Sequence, residues 1–186
     1  MSDLTLLGIC GSLRRASFNR KLMHVAAAAF GPARFVDADL RMPLYDGDLE
    51  TDLGIPATVD TLAAQIAAAD AVVIACPEYN KAPPGVLKNA LDWVSRVKGN
   101  PWAGKPVALV SATGGRAGGE RTQFALRLMM VPFRPRLLQG PEVLVGAAAD
   151  QFDAEGQLTN ERNLAALKDL MTALRAKAEA TRATVG

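Results

Sequence analysis

The sequence predicts an α/β protein whose parallel sheet is covered by helices on both faces. Apolar segments alternate with amphipathic segments five times along the 186 residues, which is the pattern of repeated strand and helix units. The apolar segments are nearly continuous, as expected for strands that are buried on both faces. The length suits one well-covered core and is short for two, so we expect a single domain over residues 1–186.

Five short segments of mostly aliphatic and β-branched residues predict the strands. Each is followed by a loop and then by a helical pattern, so neighbouring strands are expected to run parallel. The predicted strands are Leu4–Cys10, Arg34–Asp37, Ala71–Cys76, Pro106–Ser111 and Glu142–Val145.

Four of the five predicted helices carry apolar residues at the 3.6-residue period, so each turns one face toward the sheet. These faces carry Leu22, Val25, Ala26 and Ala29 in the first helix, Val59, Leu62, Ala63, Ile66 and Ala67 in the second, Leu87, Ala90, Leu91 and Val94 in the third, and Leu164, Leu167, Met171 and Leu174 in the last.

The fourth predicted helix, around residues 121–131, differs because its apolar residues extend nearly all the way round. A helix that is apolar on every side is buried on every side. In a monomer of this size the outer side of that helix would face water, so we expect a subunit interface there, with Trp93 of the third helix beside it. The predicted assembly is a homo-oligomer.

Composition and charge exclude several classes of partner. The net charge is +2 and the basic residues are scattered, without the aromatic platforms of single-strand binders, so no nucleic-acid partner is expected. No run of about 18 apolar residues occurs, so no membrane partner is expected. Cys10 and Cys76 both lie within apolar segments and make no disulfide framework, which fits a reducing cytoplasm.

The loop after the first strand is rich in hydroxyl and basic side chains. It carries Ser12, Arg14 and Ser17, and Asn19 follows where the helical pattern begins near Phe18. A helix N-terminus offers unpaired N–H groups and a partial positive charge, so this segment predicts a site for a phosphate. Ordinary helix capping with solvated arginines is the alternative.

Two common nucleotide motifs fit this loop poorly. Gly104 and Lys105 form the one Gly-Lys pair, but Pro106 and a strand follow it, so there is no Walker A loop. A dinucleotide fingerprint needs three spaced glycines, whereas this segment has Gly8 and Gly11. Asp37 at the end of the second predicted strand leaves a dinucleotide-binding fold as a minor alternative. A monophosphate held by serine, arginine and asparagine fits better.

Two further loops follow the third and fourth strands, and ligands bind at this edge of an open parallel sheet. One of these loops consists of Pro77, Glu78, Tyr79 and Asn80. It is rigid enough to direct its backbone amides at a planar heterocycle, with Tyr79 against the face of that ring. The alternative is an ordinary turn between strand and helix with a solvated Glu78. The loop at residues 113–120 is rich in glycine, which permits close approach to a flat ligand or simple flexibility. A long connection at residues 38–56 shows no clear periodic element.

Other candidate sites have weak support in the sequence. His24 is the one histidine, and no cysteine or acidic set surrounds it at ligand spacing, so no metal site is expected. With one histidine and no nucleophile elbow, a hydrolytic triad is poorly supported. Cys10 and Cys76 end neighbouring predicted strands, and small buried hydrophobes are the better interpretation of them.

The ordered set of motifs resembles the NADPH-dependent FMN reductase family, and within it the flavodoxin-like quinone and chromate reductases. The motifs are Gly-Ser-Leu-Arg-x-x-Ser-x-Asn from Gly11, Pro-Glu-Tyr-Asn from Pro77, and Pro-Gly-x-Leu-Lys-Asn-Ala-Leu-Asp-Trp from Pro84. The resemblance implies a flavodoxin-like α/β/α sandwich with a five-stranded parallel sheet in order 2-1-3-4-5, bound FMN, and dimers or tetramers. One departure is Lys81 and the residues to Pro84, which border the substrate side.

The resemblance also implies which residues hold the cofactor. Ser12, Arg14, Ser17, Phe18 and Asn19 would hold the FMN phosphate end; Pro77, Glu78, Tyr79 and Asn80 would line the isoalloxazine ring; Ser111, Gly114 and Gly115 would close its other edge.

The function implied is an FMN-dependent oxidoreductase. Hydride passes from NADPH or NADH to flavin N5 and then to a small-molecule acceptor such as a quinone, chromate, an azo dye or free flavin. The cofactor carries the chemistry, so no side chain is assigned as catalytic. The rival is a flavodoxin-type electron carrier that docks on partner proteins, which a pI near 8.7 disfavours.

Overall fold

The computed structural model of the protein describes residues 4–184. Its sheet is parallel with strand order β2-β1-β3-β4-β5, and β6 also pairs with β4. The predicted order 2-1-3-4-5 is confirmed. The strands are β1 (Thr5–Cys10), β2 (Arg34–Ala38), β3 (Ala71–Ala75), β4 (Pro106–Ala112), β5 (Arg136–Leu137) and β6 (Val143–Val145).

Alternate residues of each central strand enter two separate cores, because successive side chains point to opposite faces of a sheet. Leu6 and Val73 pack with α1 and α6, whereas Leu7 and Val72 pack with α3, α4 and α5. The helices are α1 (Phe18–Phe30), α2 (Gly47–Leu53), α3 (Ala57–Ala68), α4 (Gly85–Val94), α5 (Glu120–Met130) and α6 (Glu161–Ala183), with 3-10 turns at Val131–Phe133 and Ala148–Asp150.

The fifth strand position is divided between two short strands. β5 pairs with the first residues of β4 and β6 pairs with its last residues, and the cis peptide Gly140–Pro141 lies between them. The predicted strand Glu142–Val145 corresponds to β6. The two-residue β5 escaped prediction because it is too short to carry a pattern.

The long connection before α3 contains a helix that the sequence did not reveal. α2 has no buried residue, so its sequence shows no apolar stripe. The connection is held to α4, where Asn89 Nδ2 and Trp93 Nε1 donate to the Pro43 carbonyl at 2.9 and 2.8 Å. Tyr45 N returns a bond of 2.8 Å to Asn89 Oδ1. α2 itself is also attached, since Arg96 Nε donates to Glu50 Oε2 at 2.9 Å and Leu49 packs against the core.

α5 is buried on one side only within a single chain. Leu126 and Met130 are fully buried, whereas Phe124, Leu128 and Val131 just after the helix are 57, 74 and 65% exposed. We call these three residues the α5 apolar face. The expectation of burial on every side is therefore not met within one chain, because the sheet covers only one side of the helix.

A membrane-spanning helix is not among the described elements, since none of them is both long and apolar enough.

Candidate functional site

Three loops meet at the carboxyl edge of the sheet, as the sequence predicts. They are the first loop (residues 11–17), the second loop (76–84) and the third loop (113–119). Each is joined to the neighbouring strand, since Gly11 N donates to Ala75 O and Cys76 N donates to Val110 O, both at 2.9 Å. The parallel ladder thus continues past the strand ends and brings the loops side by side.

The first loop presents hydrogen-bond donors that the protein itself leaves unused. Within residues 4–184, the backbone N–H groups of Leu13, Arg15, Ala16 and Ser17 donate to no acceptor. The Ser12 hydroxyl accepts a bond of 3.3 Å from Arg14 N, and α1 has no acidic residue in its first turn. Unpaired amides at a positively polarised helix end select an anion.

Arg14 adds a free positive charge to this donor set. Its side chain is exposed and makes no ion pair with any other residue of the described chain. Arg20, by contrast, is paired with Asp37 at the end of β2. Arg14 is therefore available to a phosphate, as is Arg15 beside it, which is also exposed and makes no ion pair within residues 4–184.

Phe18 and Asn19 fix the position of the first loop. Asn19 is buried, its Nδ2 donates to Ala112 O at 2.7 Å, and its Oδ1 accepts from Ala112 N at 3.0 Å. The Phe18 ring stacks on Phe152 with centroids 5.9 Å apart. Both polar atoms of the Asn19 side chain are thus engaged with β4, so this residue contributes the placement of the α1 N-terminus.

The second loop makes a tight reversal at its tip. Tyr79 and Ala82 exchange two backbone hydrogen bonds of 2.9 and 3.1 Å, and Asn80 and Lys81 between them have φ of 51° and 66°. Positive φ at both central residues is the type I′ turn, in which glycine is preferred at the second of them. The Tyr79 ring is 47% exposed, and its hydroxyl lies 3.4 Å from Ser12 Oγ, which joins the second loop to the first.

Glu78 connects the second loop to α5 and is not solvated. Its Oε2 accepts a bond of 3.3 Å from Thr122 N, and Arg121 Nη1 lies 3.9 Å from its Oε1. Thr122 Oγ1 in turn donates to Pro77 O at 3.2 Å. The first turn of α5 is therefore capped by a residue of another loop.

Ser111 lies beneath the third loop and holds it down. Its hydroxyl donates to Gly118 O at 2.6 Å and accepts from Gln123 Nε2 at 2.9 Å. Gln123 Nε2 also donates to Val143 O at 3.0 Å. The buried hydroxyl is thus used inside the protein, and the surface it supports is the backbone of the loop.

The glycines of the third loop serve different purposes. Gly114 and Gly115 have no positive φ, and a Cβ on Gly114 would meet no atom within 4 Å. Gly118 has φ of +62°, and a Cβ there would lie 2.4 Å from the backbone of Leu144. A Cβ on Gly146 would lie 2.5 Å from Arg116 O. The third loop therefore packs closely against the end of β6.

An open cleft of about 720 Å³ separates the second and third loops. Glu78 lies on one side of it, Thr113 and Arg116 lie on the other, and Arg121 lies at its α5 end. The cleft offers backbone groups, a hydroxyl and both signs of charge beside the exposed Tyr79.

Comparison with known proteins identifies the family of the chain. The sequence model of the NADPH-dependent FMN reductases matches residues 4–150. The chain belongs to the NADPH-dependent FMN reductase family. It is 40% identical over 174 residues to an NAD(P)H-dependent FMN reductase of Pseudomonas aeruginosa, covering 92% of this chain and 94% of that one. The predicted family, reductase class and FMN cofactor are confirmed.

Two further relatives agree with this assignment. A quinone reductase of Escherichia coli is 39% identical over 175 residues, covering 91% of this chain and 93% of that one. The solved flavoenzyme NAD(P)H:(acceptor) oxidoreductase of Paracoccus denitrificans superposes with a TM-score of 0.84 at 32% identity, covering 95% and 97% of the two chains. The electron-carrier alternative has no support in these comparisons.

The residues present fit the cofactor of this family. FMN has one phosphate and one planar ring, and the first loop has unpaired N–H groups and a free arginine while the second loop has an exposed aromatic ring. Charged acceptors bound by several amides make the stronger class of hydrogen bond. When bound, FMN supplies the hydride and electron transfer that no side chain of this site provides.

The two cysteines support the loops from within the protein, since Cys10 Sγ donates to Ser12 O at 3.5 Å and Cys76 Sγ donates to Pro77 O at 3.5 Å. Cys10 packs with α1 and α6 and Cys76 packs on the opposite face of the sheet, so the two thiols are not neighbours in one core although their strands are adjacent. Burial raises the pKa of Cys10 and raises the pKa of Cys76 to about 12. Both therefore stay protonated at neutral pH and are poor nucleophiles.

His24 stands apart from the family site. Its side chain is 53% exposed, and its Nε2 lies 3.7 Å from Asp37 Oδ2. Within residues 4–184 no group of three or more histidine, cysteine or acidic side chains is placed to hold a metal ion.

Two residues at this edge of the sheet were missed in the sequence, Thr122 and Gln123. Both are polar, fully buried and adjacent at the start of α5, where they bond to the second loop and to β4. Two consecutive polar residues within an otherwise apolar helix were the available signal. Their hydrogen-bond partners are distant in sequence, so these bonds could not be predicted from the sequence.

Gly146→Ala is expected to destabilise the protein by about 1 to 3 kcal/mol, because the new methyl group would overlap the rigid backbone at Arg116. Gly114→Ala is the matched control, since a methyl group there meets open space and should change stability by less than about 0.5 kcal/mol. Urea denaturation of the apoprotein measures both. Equal stability of the two variants would contradict the close packing described here.

Proposed function

We propose that this chain binds FMN at the three loops and uses it to oxidise NADPH or NADH and to reduce a small-molecule acceptor. The observation that carries the proposal is the set of unused N–H donors of the first loop beside the unpaired Arg14. Family membership supports the cofactor, and the activities for which the Pseudomonas and Escherichia relatives are named support the reaction.

The proposed residue roles follow from position. Ser12, Arg14 and Ser17 bind the phosphate, and Phe18 and Asn19 hold the helix end that faces it. The ring lies along the second loop, lined by Pro77, Glu78, Tyr79 and Asn80, and its other edge meets the backbone of Gly114 and Gly115, which Ser111 supports from below.

The protein's own task is to bind and to orient. The carboxylate of Glu78 is committed to Thr122 N and to Arg121, and the Tyr79 hydroxyl lies beside Ser12. Proton transfer by an acid or base is not required for hydride transfer between two bound rings. We therefore assign no catalytic acid or base to this chain.

The nature of the acceptor is proposed from the relatives and the cleft. The Escherichia relative is named as a quinone reductase, and the cleft beside Tyr79 is open and carries both signs of charge. A quinone fits this description, and chromate, an azo dye or free flavin are the other members of the acceptor class to be compared.

Turnover by the purified holoenzyme tests the proposed function. With FMN bound, consumption of NADPH or NADH should depend on an added quinone, and the two substrates should give the parallel double-reciprocal lines of a ping-pong mechanism. Chromate, an azo dye and free FMN are tested in parallel. Nicotinamide oxidation that no acceptor accelerates would contradict the proposal.

We further propose a homodimer or homotetramer that covers the α5 apolar face. Phe124 and Leu128 are large and mostly exposed, and Val131 continues the face past the helix. A groove of about 460 Å³ between α4 and the end of α5, lined by Leu91 and Met129 among others, adjoins it. Contiguous exposed apolar surface is typical of an interface.

Phe124→Glu combined with Leu128→Glu should dissociate the assembly, because two charges would be buried without partners. Light scattering after size exclusion should give two or four times 19.6 kDa for the native protein and 19.6 kDa for the variant. Leu53→Glu is the control, since Leu53 is 78% exposed and lies outside the face. A native protein of monomer mass would contradict this proposal.

The organisation as one domain and a cytoplasmic location remain proposals. Both cores share the same sheet, which supports one folding unit over the described residues. Cys10 and Cys76 are free and buried, which suits a reducing compartment.

A further inference from the structure

Thr122 is a buried polar residue whose bonds all lead to the second loop. It is the third residue of α5 and is 0% exposed. Its N donates to Glu78 Oε2 at 3.3 Å and its Oγ1 donates to Pro77 O at 3.2 Å. The Cys76 Sγ lies 3.3 Å from the same hydroxyl. Through its backbone N–H and its hydroxyl together, Thr122 therefore contacts three consecutive residues of the loop that is to hold the flavin ring.

The bond to Pro77 determines which way the next peptide group faces. A trans peptide is planar, and its C=O and N–H point in opposite directions. The one cis bond within residues 4–184 is Gly140–Pro141, so the Pro77–Glu78 peptide is trans. With the Pro77 carbonyl directed at Thr122, the Glu78 N–H is directed away from it.

The Glu78 N–H is left unused by the described part of the chain, where it donates to no acceptor. The Glu78 side chain is meanwhile tied to Thr122 N, which holds the residue at both its carboxylate and the peptide that precedes it. A fixed and unpaired N–H beside the cleft is a donor prepared for a ligand.

The opposite orientation of this peptide has an identifiable cost. Turning the Pro77 carbonyl toward the cleft would break the bonds that it accepts from the buried Thr122 hydroxyl and from the Cys76 thiol, and would present the ligand with an acceptor in place of a donor. The Thr122 hydroxyl makes the shorter of the two bonds to this carbonyl, 3.2 Å against 3.5 Å for the Cys76 thiol, and Pro77, like every proline, has no N–H with which to hold the loop.

We propose that Thr122 is a positioning residue that keeps the Glu78 N–H directed at the flavin ring and thereby favours reduced over oxidised FMN. This inference rests on the proposed function, in which the ring lies along the second loop. Reduction places electron density on the ring, and a donor held toward that density stabilises it more than the oxidised form.

Thr122→Val removes the hydroxyl at nearly unchanged shape and tests the inference. Binding of FMN in its oxidised form and in its dithionite-reduced form is measured by titration of the apoprotein. We expect affinity for reduced FMN to fall about tenfold more than affinity for oxidised FMN, which is the effect of one hydrogen bond to a charged group. The midpoint potential of bound FMN should fall accordingly.

Two matched variants separate positioning from packing. Thr122→Ser keeps the hydroxyl and should restore the native ratio of the two affinities. Thr61→Val removes a hydroxyl on α3 that bonds only to Ala57 O of its own helix, at 2.8 Å, and should leave the ratio unchanged. If folded Thr122→Val keeps the native ratio of the two affinities, or if Thr122→Ser changes that ratio as much as Thr122→Val does, the inference is overturned. The proposed function stands in either case as long as the native protein binds FMN.

The native protein supplies a second test that needs no variant. In a nitrogen-15 NMR titration, the Glu78 amide should shift and exchange more slowly with solvent when FMN is added, and more so after reduction. A Glu78 amide that is indifferent to bound FMN would overturn the inference alone. Failure of the native protein to bind FMN at all would overturn both the inference and the proposed function.

Discussion

The site depends on the parallel pairing of β1, β3 and β4. These strands end at nearly the same level, so Gly11, Cys76 and Thr113 each donate a backbone bond to the neighbouring strand just beyond the strand ends. These bonds place a helix N-terminus, a type I′ turn and a glycine loop side by side. The position of the ligand site is thus determined by the direction of the strands, and the side chains determine what binds there.

The residues at this edge of the sheet fall into two groups, according to whether their polar groups are hydrogen-bonded within the protein. Asn19, Ser111, Thr122 and Gln123 are buried, and the side chain of each donates a hydrogen bond to the backbone of another element or loop. The first loop and the Glu78 amide keep donors that nothing in the described chain satisfies. The first group holds the loops in place, and the second group provides the hydrogen-bond donors for a ligand.

Local patterns in the sequence predicted every strand except β5 and the convergence of the three loops, and the family resemblance predicted the order of the sheet. They did not predict α2, because a helix without a buried face leaves no apolar stripe. They also placed Glu78 in solvent as one alternative and gave Asn19 and Ser111 direct roles toward the ligand. In the structure Glu78 bonds to Thr122, 44 residues away in sequence, and a contact of that range has no local signature.

The central claim is that the first loop binds the phosphate of FMN. Comparing the affinity of the apoprotein for FMN with its affinity for riboflavin tests this claim most directly. Riboflavin has the same ring and lacks the phosphate. Fluorescence titration of the apoprotein should show FMN binding at least about a hundredfold more tightly, since several charge-assisted hydrogen bonds are involved. Equal affinity for the two flavins would contradict the account.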